Sequence, residues 1–242
     1  MLKKMLKSLV LKMIPLRVKK MIASDVLGSA DVNMDNIYFS QEGEDIILSK
    51  LFFDKKDGFY VDIGAHHPIK LSNTYKYYLQ GWSGINIDAL PGSMQLFRQK
   101  RLRDINVEIG IAQEEKKMPF YVFKQATLNT FDEATALQHV AQHGQPIIKT
   151  ILVQTAPLSK ILDAYLPKGK IIDFMSIDVE GLDLMVLKSN DWQKYKPKVI
   201  LVEYIGADLE LLLDTEMHEF LSEQGYCIMS KTFHTVIYKS VA

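Results

Sequence analysis

The sequence predicts an α/β chain built on a mainly parallel, Rossmann-like sheet with an antiparallel C-terminal edge. Three observations carry this. From residue 40 onward, short continuously apolar runs alternate with helical periods, the pattern of strands covered on both faces. The run Phe59–Ile63 leads straight into a Gly64–Ala65 turn with Asp62 just before it, and roughly 25 residues later a second run, Gly84–Asp88, ends in another acid. A strand, a glycine turn and a downstream carboxylate form the nucleotide-binding half of a doubly wound sheet. The last two apolar runs, Tyr226–Lys231 and Thr235–Lys239, lie a short turn apart and read as a closing hairpin.

The elements follow in order. Residues 25–40 lack an apolar period and read as a loop. A short helix comes next, with Ser40 as its expected N-cap, Glu42, Glu44 and Asp45 near its positive end, and Ile46, Ile47, Leu51 and Phe52 on its buried face. After the first strand and turn, Ser72-Asn73-Thr74 precedes a helix carrying Tyr75, Tyr78 and Leu79, which Gly81 closes. Pro91-Gly92 opens a helix through Met94, Phe97 and the basic cluster Arg98, Lys100, Arg101 and Arg103. Ile105–Ala112 reads as a third strand and Met118–Phe123 as a fourth, antiparallel one. Residues 124–150 carry a weak pattern, an insertion of the kind that forms a lid or acceptor surface. Strand Ile151–Thr155, helix Leu158–Leu166, strand Ile171–Val179, helix Leu182–Leu187, strand Lys198–Tyr204 and a helix near Thr215–Gln224 complete the alternation.

The formal charge of zero hides an asymmetry. Residues 1–24 hold seven of the 29 basic residues and none of the 29 acids, so the remainder is acidic by seven. An acidic body argues against broad nucleic-acid binding. In the basic segment, Leu2, Met5, Leu6, Leu9, Val10 and Met13 share helical spacing while Lys3, Lys4, Lys7 and Lys12 fall elsewhere around the helix. Charges interrupt it too often for a membrane span or a signal peptide. A Lys-rich amphipathic helix suits an anionic membrane surface, and the expectation is a cytoplasmic protein docked on the inner face through residues 1–22. The ordinary alternative is a solvated helix docked on its own domain or on a second subunit. The chain thus divides into a basic helix, 1–24, and one domain, 25–242. The single cysteine, Cys227, excludes an intrachain disulfide and is expected in the core. Trp82 and Trp192 are expected to pack in the core or its seams.

The first turn discriminates between ligands. A Walker A loop needs Lys-Ser/Thr after its last glycine, and none follows. A dinucleotide site prefers G-x-G-x-x-G, whereas here His66 and Ile69 take the second and third glycine positions and Pro68 intervenes. A pyrophosphate would find few free amides. An adenosine ligand without phosphate, S-adenosylmethionine, is the remaining option, with Asp88 on its ribose hydroxyls.

At this point five motifs resemble the FkbM family of S-adenosylmethionine-dependent methyltransferases: Ser40-Gln-Glu-Gly-Glu-Asp45, Phe59-Tyr-Val-Asp-Ile-Gly-Ala65, Ser72-Asn-Thr74, Gly81-Trp-Ser-Gly-Ile-Asn-Ile-Asp88 and Ser176-Ile-Asp-Val-Glu-Gly181. They span about residues 38–205 in the expected order. The resemblance implies a class I methyltransferase fold with a seven-stranded sheet, and O-methylation, often of sugar hydroxyls in bacterial glycans or natural products; the expected acceptor is a hydroxyl of a glycan or glycolipid. By position, Asp62, Gly64 and Ala65 would form the first cofactor loop, and Asn73 would bind the cofactor with them. Asp88 and Ala89 would lie at the ribose, Gly110 and Ile111 against the adenine. His66-His67-Pro68 departs from the family pattern, where a further glycine is frequent.

Asp178 and Glu180 close a core strand at its carboxyl edge, where open α/β sheets place ligands. A sugar hydroxyl is a weak nucleophile and gains from a base within reach. Asp178 is the first expectation for that base, Glu180 the second, and His66 or His67 a third; Glu180-Gly181 could equally just turn the chain. His139 and His143 have the i, i+4 spacing that can hold zinc but lack a further ligand, and with His234 they read as surface or lid residues. Asp178, Glu180 and Glu203 could gather around Mg²⁺, but no metal is assigned. Two rivals stand beside the methyltransferase reading: a nicotinamide-dependent oxidoreductase using Asp88, and a non-catalytic membrane-docked scaffold.

Overall fold

The computed structural model describes residues 37–206 and 208–241. The basic segment 1–24 and the loop expected over 25–36 lie outside the described residues.

The chain enters helix α1 (Glu44–Leu51), then strand β1 (Phe59–Ile63), α2 (Tyr75–Leu79), β2 (Ser83–Asp88), α3 (Met94–Lys100) and β3 (Ile105–Glu108). A second group of elements follows: β4 (Gly110–Ile111), β5 (Lys117–Val122), a 3₁₀ turn at Ala126–Leu128, α4 (Glu133–His143) and β6 (Lys149–Ala156). The alternation then resumes with α5 (Leu158–Tyr165), β7 (Phe174–Ile177), α6 (Asp183–Lys188), β8 (Val199–Glu203), α7 (Leu209–Leu213), α8 (Glu216–Glu223), β9 (Tyr226–Lys231) and β10 (Thr235–Ser240).

The main sheet has seven strands in the order β3-β2-β1-β7-β8-β10-β9. Its first five strands are mutually parallel, and β10 runs antiparallel to both β8 and β9. The class I architecture with an antiparallel C-terminal edge is therefore what the chain adopts. Winding goes outward from β1 to β3 and then returns to β7, so the order reverses between β1 and β7. That is the switch point, where the two crossovers part and leave a crevice.

Side-chain alternation explains why the sheet is covered on both faces. Phe59, Val61 and Ile63 of β1 join Ile85, Ile87, Met175, Ile177, Ile200 and Val202 in the larger core, which α5, α6 and α8 cover through Leu158, Leu162, Val186, Leu187 and Leu221. Tyr60, Phe174, Val199, Leu201 and Ile237 point the other way and meet Leu48, Tyr77 and Trp82. Trp82 is fully buried there, and Trp192 packs edge-on against Phe220 and Tyr226, as expected of both.

Four expectations need correction. Ile105–Ala112 is not one strand: β3 stays with β2 only as far as Asp88↔Glu108, where β2 ends. The chain then crosses over, and Gly110 and Ile111 pair with Thr155 and Ala156 instead. The antiparallel strand expected at Met118–Phe123 exists as β5, but it and β6 form with β4 a separate three-stranded sheet. Cys227 is exposed rather than core, because β9 is an edge strand and Cys227 alternates with the buried Tyr226. Gly43, in a left-handed conformation, takes the N-cap position instead of Ser40, whose hydroxyl accepts the N–H groups of Gly43 and Asp45.

Candidate functional site

A cleft of about 1050 Å³ opens at the carboxyl ends of β1, β2, β7 and β8, over the switch point. Its floor is the first turn. The N–H groups of Gly64 and Ala65 both donate to the Ile87 carbonyl at 3.0 Å, which ties the turn to β2. Gly64 has φ 78° and lies so close to β7 that a Cβ would sit 1.7 Å from the Asp178 carbonyl oxygen. Only glycine can occupy that position.

Asp88 faces this turn. It accepts the His66 N–H at 3.0 Å through one oxygen and the Leu90 N–H at 2.8 Å through the other, so its carboxylate is fixed in place with lone pairs to spare. Burial pushes its pKa up, against the hydrogen bonds that hold the charged form. Beside it, Ala89, Leu90, Gly110, Ile111, Phe120 and Phe131 make an apolar wall. Gly110 keeps that wall flat, since a Cβ there would meet the Phe131 ring at 2.5 Å.

The opposite side of the cleft is acidic. Asp178, Glu180 and Glu203 each bring a carboxylate oxygen within 4.8 Å of the others, and Asp183 stands next to them. Asp178 opens onto the cleft, yet the protein around its carboxyl, and then Glu44, raise its pKa, while His234 pulls it down. Burial first, and Asp178 next, push both Glu180 and Asp183 up to about 8. Glu203 is raised by burial and by all three neighbouring acids. Like charges this close, with so little solvent, favour a proton or a bound cation.

Glu180 is set by the insertion. It has φ 56°, its carbonyl accepts the Thr130 hydroxyl at 2.9 Å, and its carboxylate lies 3.6 Å from His139 Nε2. His139, expected at the surface, is buried, with Nδ1 hydrogen-bonded to the Leu128 carbonyl at 3.1 Å. The segment 124–150 thus closes one side of the cleft through the 3₁₀ turn and α4.

Of the residues expected in the site, Gly64, His66, Asp88, Ala89, Gly110, Ile111, Asp178 and Glu180 line the cleft. Asp62, Ala65 and Asn73 do not; they support it from behind. Asp62 accepts the Thr74 hydroxyl at 2.9 Å, and burial raises its pKa to about 6 against that bond and Arg101. Asn73 donates to the Ser176 hydroxyl at 3.0 Å, and Ala65 packs on Met94 and Phe97. His67 spends its Nδ1 lone pair on the N–H groups of Ile69 and Lys70. Sequence reasoning missed Asp183, Gln41 and the tight Glu42–His234 pair. It also read Arg101 as one of a basic cluster, with no sign of its burial. Arg101 is fully buried, and donates to the Pro68 carbonyl and to the hydroxyls of Ser72, Thr74 and Tyr60.

The charge of the lining selects the ligand. Five acids line the cleft, Asp88, Asp178, Glu180, Asp183 and Glu203, and none of its described lining residues is Lys or Arg. A pyrophosphate would be repelled with nothing to neutralise it. An adenosine ligand bearing a sulfonium and an ammonium matches that charge. Fold and cleft together define an S-adenosylmethionine-dependent methyltransferase. The Methyltransferase FkbM domain matches residues 62–228, well over half of the chain, and the protein belongs to that family. The nicotinamide-dependent oxidoreductase and the non-catalytic scaffold are thereby set aside.

Solved structures resemble the chain at low identity. The precorrin-6y C5,15-methyltransferase of Geobacter metallireducens GS-15 is 15% identical, with TM-score 0.42 over 85% of this chain and 92% of that one. The O-methyltransferase of Bacillus cereus in complex with SAH is 11% identical (TM-score 0.38; 93% and 91% covered). A further O-methyltransferase structure, from Klebsiella pneumoniae, is also 11% identical (TM-score 0.39; 98% and 96% covered). No curated protein matches the sequence.

Proposed function

We propose that the enzyme methylates a hydroxyl oxygen of a sugar, within a glycan or glycolipid. The observation that carries this reading is a set of neutral amide side chains on the cleft lining. Gln41, Gln125, Asn129, Gln138 and Gln142 make up the set, all neutral groups that both donate and accept hydrogen bonds. Such a set matches a polyhydroxyl acceptor and offers no ion-pair partner to a charged one.

Bound S-adenosylmethionine supplies a methyl group activated by its sulfonium. The chain's own residues do the rest. Asp88 and the Gly64 turn hold the nucleoside; the acids round Asp178 favour the cationic ground state and fix its orientation. The amide-lined wall aligns the acceptor, and alignment counts heavily in an in-line displacement. Asp178, at the end of β7, opens onto the cleft beside Glu180 and Glu203.

Thermal unfolding with S-adenosylhomocysteine, followed by methyl transfer to a panel of methyl glycosides, tests the reading. Ligand at about 100 times its dissociation constant stabilises by roughly 2.7 kcal/mol. Wild type should show that shift and label at least one glycoside. Transfer confined to amine acceptors would overturn the hydroxyl assignment.

We further propose that residues 1–22 bind an anionic membrane surface, where lipid-linked sugars would be at hand. Support comes from the seven basic residues and helical apolar spacing of residues 1–24. No helix among the described residues is long and apolar enough to cross a membrane. Deleting residues 1–22 should abolish sedimentation with phosphatidylserine vesicles; unchanged sedimentation would remove the idea.

A further inference from the structure

Two acids of the cleft are poorly suited to take the proton that a hydroxyl must lose. Glu180 and Asp183 are pushed up to about 8, so each is largely protonated at neutral pH. A different group on the cleft wall is built to receive a proton. His234 lies in the turn between β9 and β10 and lines the cleft. Glu42 grips it twice: one carboxylate oxygen accepts the His234 backbone N–H at 2.9 Å, and the other forms a tight pair with Nδ1.

The turn itself is held rigidly. The Tyr204 N–H donates to the His234 carbonyl at 2.7 Å, and the Thr232 hydroxyl reaches Glu44 at 3.1 Å. Glu44 in turn accepts the Glu42 N–H at 2.9 Å, which fixes the backbone of the residue that grips the ring. A carboxylate on Nδ1 requires the hydrogen there, so the neutral ring presents Nε2 as its lone pair. The ring is also close enough to Asp178 to lower that carboxyl's pKa.

We propose that His234 is the catalytic proton acceptor of this site and that Glu42 is its positioning residue. This rests on the hydroxyl-methylation reading given above. As the acceptor oxygen bonds to the methyl carbon, the carbon–sulfur electron pair stays with sulfur and the hydroxyl proton passes to His234 Nε2. The imidazolium formed is stabilised by Glu42 and Asp178, then loses its proton to solvent. Both residues lie outside the span 62–228 that matches the family domain. Glu42 belongs instead to the Ser40–Asp45 motif, whose use in this frame is to bring a carboxylate to the β9–β10 turn.

The groups facing His234 are Glu42, Glu44, Asp178, Glu203, Tyr204 and Lys231, the last with its ammonium on the carbonyls of Thr232 and Phe233.

Long-range ¹H–¹⁵N spectra of the full chain test the arrangement without turnover. The neutral His234 ring should be the Nδ1–H tautomer, and that preference should be lost in Glu42→Ala and kept in Glu42→Asp. An Nε2–H tautomer, or a tautomer preference indifferent to Glu42→Ala, would overturn the proposal. In methyl transfer to methyl glycosides, His234→Asn should lower kcat by about 10²- to 10⁴-fold, with an unchanged thermal shift on S-adenosylhomocysteine. Retention of activity within threefold would also overturn it. A wild-type protein that binds S-adenosylhomocysteine but labels no glycoside would instead refute the sugar reading, and the spectra would still decide the role of His234.

Discussion

Replacing Arg101 by Met keeps the side-chain volume and removes one buried charge, which makes it the sharpest test of how the cofactor turn is supported. The guanidinium is fully buried and donates at 2.7 Å to the Pro68 carbonyl, 2.9 Å to both Ser72 and Thr74 hydroxyls, and 3.0 Å to the Tyr60 hydroxyl. It also pairs with Asp104 at 3.4 Å, and the rings of Tyr75 and Tyr78 lie 5.0 Å from it. Removing one partner of a buried ion pair costs about 3–5 kcal/mol, since the other charge is left uncompensated. Asp104 keeps three partners here, the Tyr60 hydroxyl, the Asn86 amide and the Gly84 N–H, so the lower end applies. A loss of about 3 kcal/mol corresponds to a Tm lower by roughly 6–12 °C, at about 2–4 °C per kcal/mol for a domain of this size. Urea unfolding at constant m-value is the assay. Because Arg101 joins Pro68, just past the turn, to Thr74 and hence to Asp62, affinity for S-adenosylhomocysteine should fall as well. A loss below 1 kcal/mol with unchanged affinity would refute the claim that this network holds the loop.

Gly64→Ala should abolish binding of S-adenosylhomocysteine in calorimetry, because its Cβ would occupy the place of the Asp178 carbonyl, 1.7 Å away. Asp88→Ala should eliminate the thermal shift with S-adenosylhomocysteine, and it also frees the N–H groups of His66 and Leu90. Glu180 and Asp183 titrate higher in the folded chain than when unfolded, from 4.5 and 3.8 to about 8. Their stabilising protons are fully held below about pH 4 and lost as pH rises toward 8, so ligand-free stability should fall across that window. Glu180→Gln should flatten the fall and raise stability at pH 8 by more than 1 kcal/mol, since a tenfold change in proton affinity is worth about 1.4 kcal/mol; denaturant titrations at pH 5 and pH 8 read it directly.

The main sheet was legible because its strands are short, mainly apolar and set apart by helical periods. Phe59–Ile63 and Val199–Glu203 could be read almost to the residue. Strands β5 and β6 were read as well, at Met118–Phe123 and Ile151–Thr155, but not their union with β4 in a separate sheet, because β4 is two residues long and lies one residue past β3. Helix α7 escaped because four of its five residues are leucine, with no polar period to mark a face. In the site, Asp88 and Asp178 were visible as acids ending strands. His234 was not, because its meaning depends on Glu42, 192 residues earlier in the chain. A charge such as Arg101 beside Arg98 and Arg103 looks solvated in sequence, and only the fold reveals the hydroxyl cage that makes its burial tolerable.

The acidity of the cleft links cofactor and fold. Nearly all the cost of crowding Asp178, Glu180, Asp183 and Glu203 at the ends of β7, β8 and the turn into α6 arises from charges that repel and lack water. A cationic ligand relieves that cost when it arrives, and its neutral product relieves it less. The same carboxylates therefore favour the sulfonium over the thioether, a difference that assists product release. Protons taken up by the empty cleft would be displaced on binding, so calorimetry of S-adenosylmethionine in buffers of different ionisation enthalpy should detect proton release near pH 7. S-adenosylhomocysteine, which lacks the sulfonium charge, should release fewer. Equal release by the two ligands would assign the acids to holding the amino-acid end alone and leave the sulfonium to the aligned acceptor.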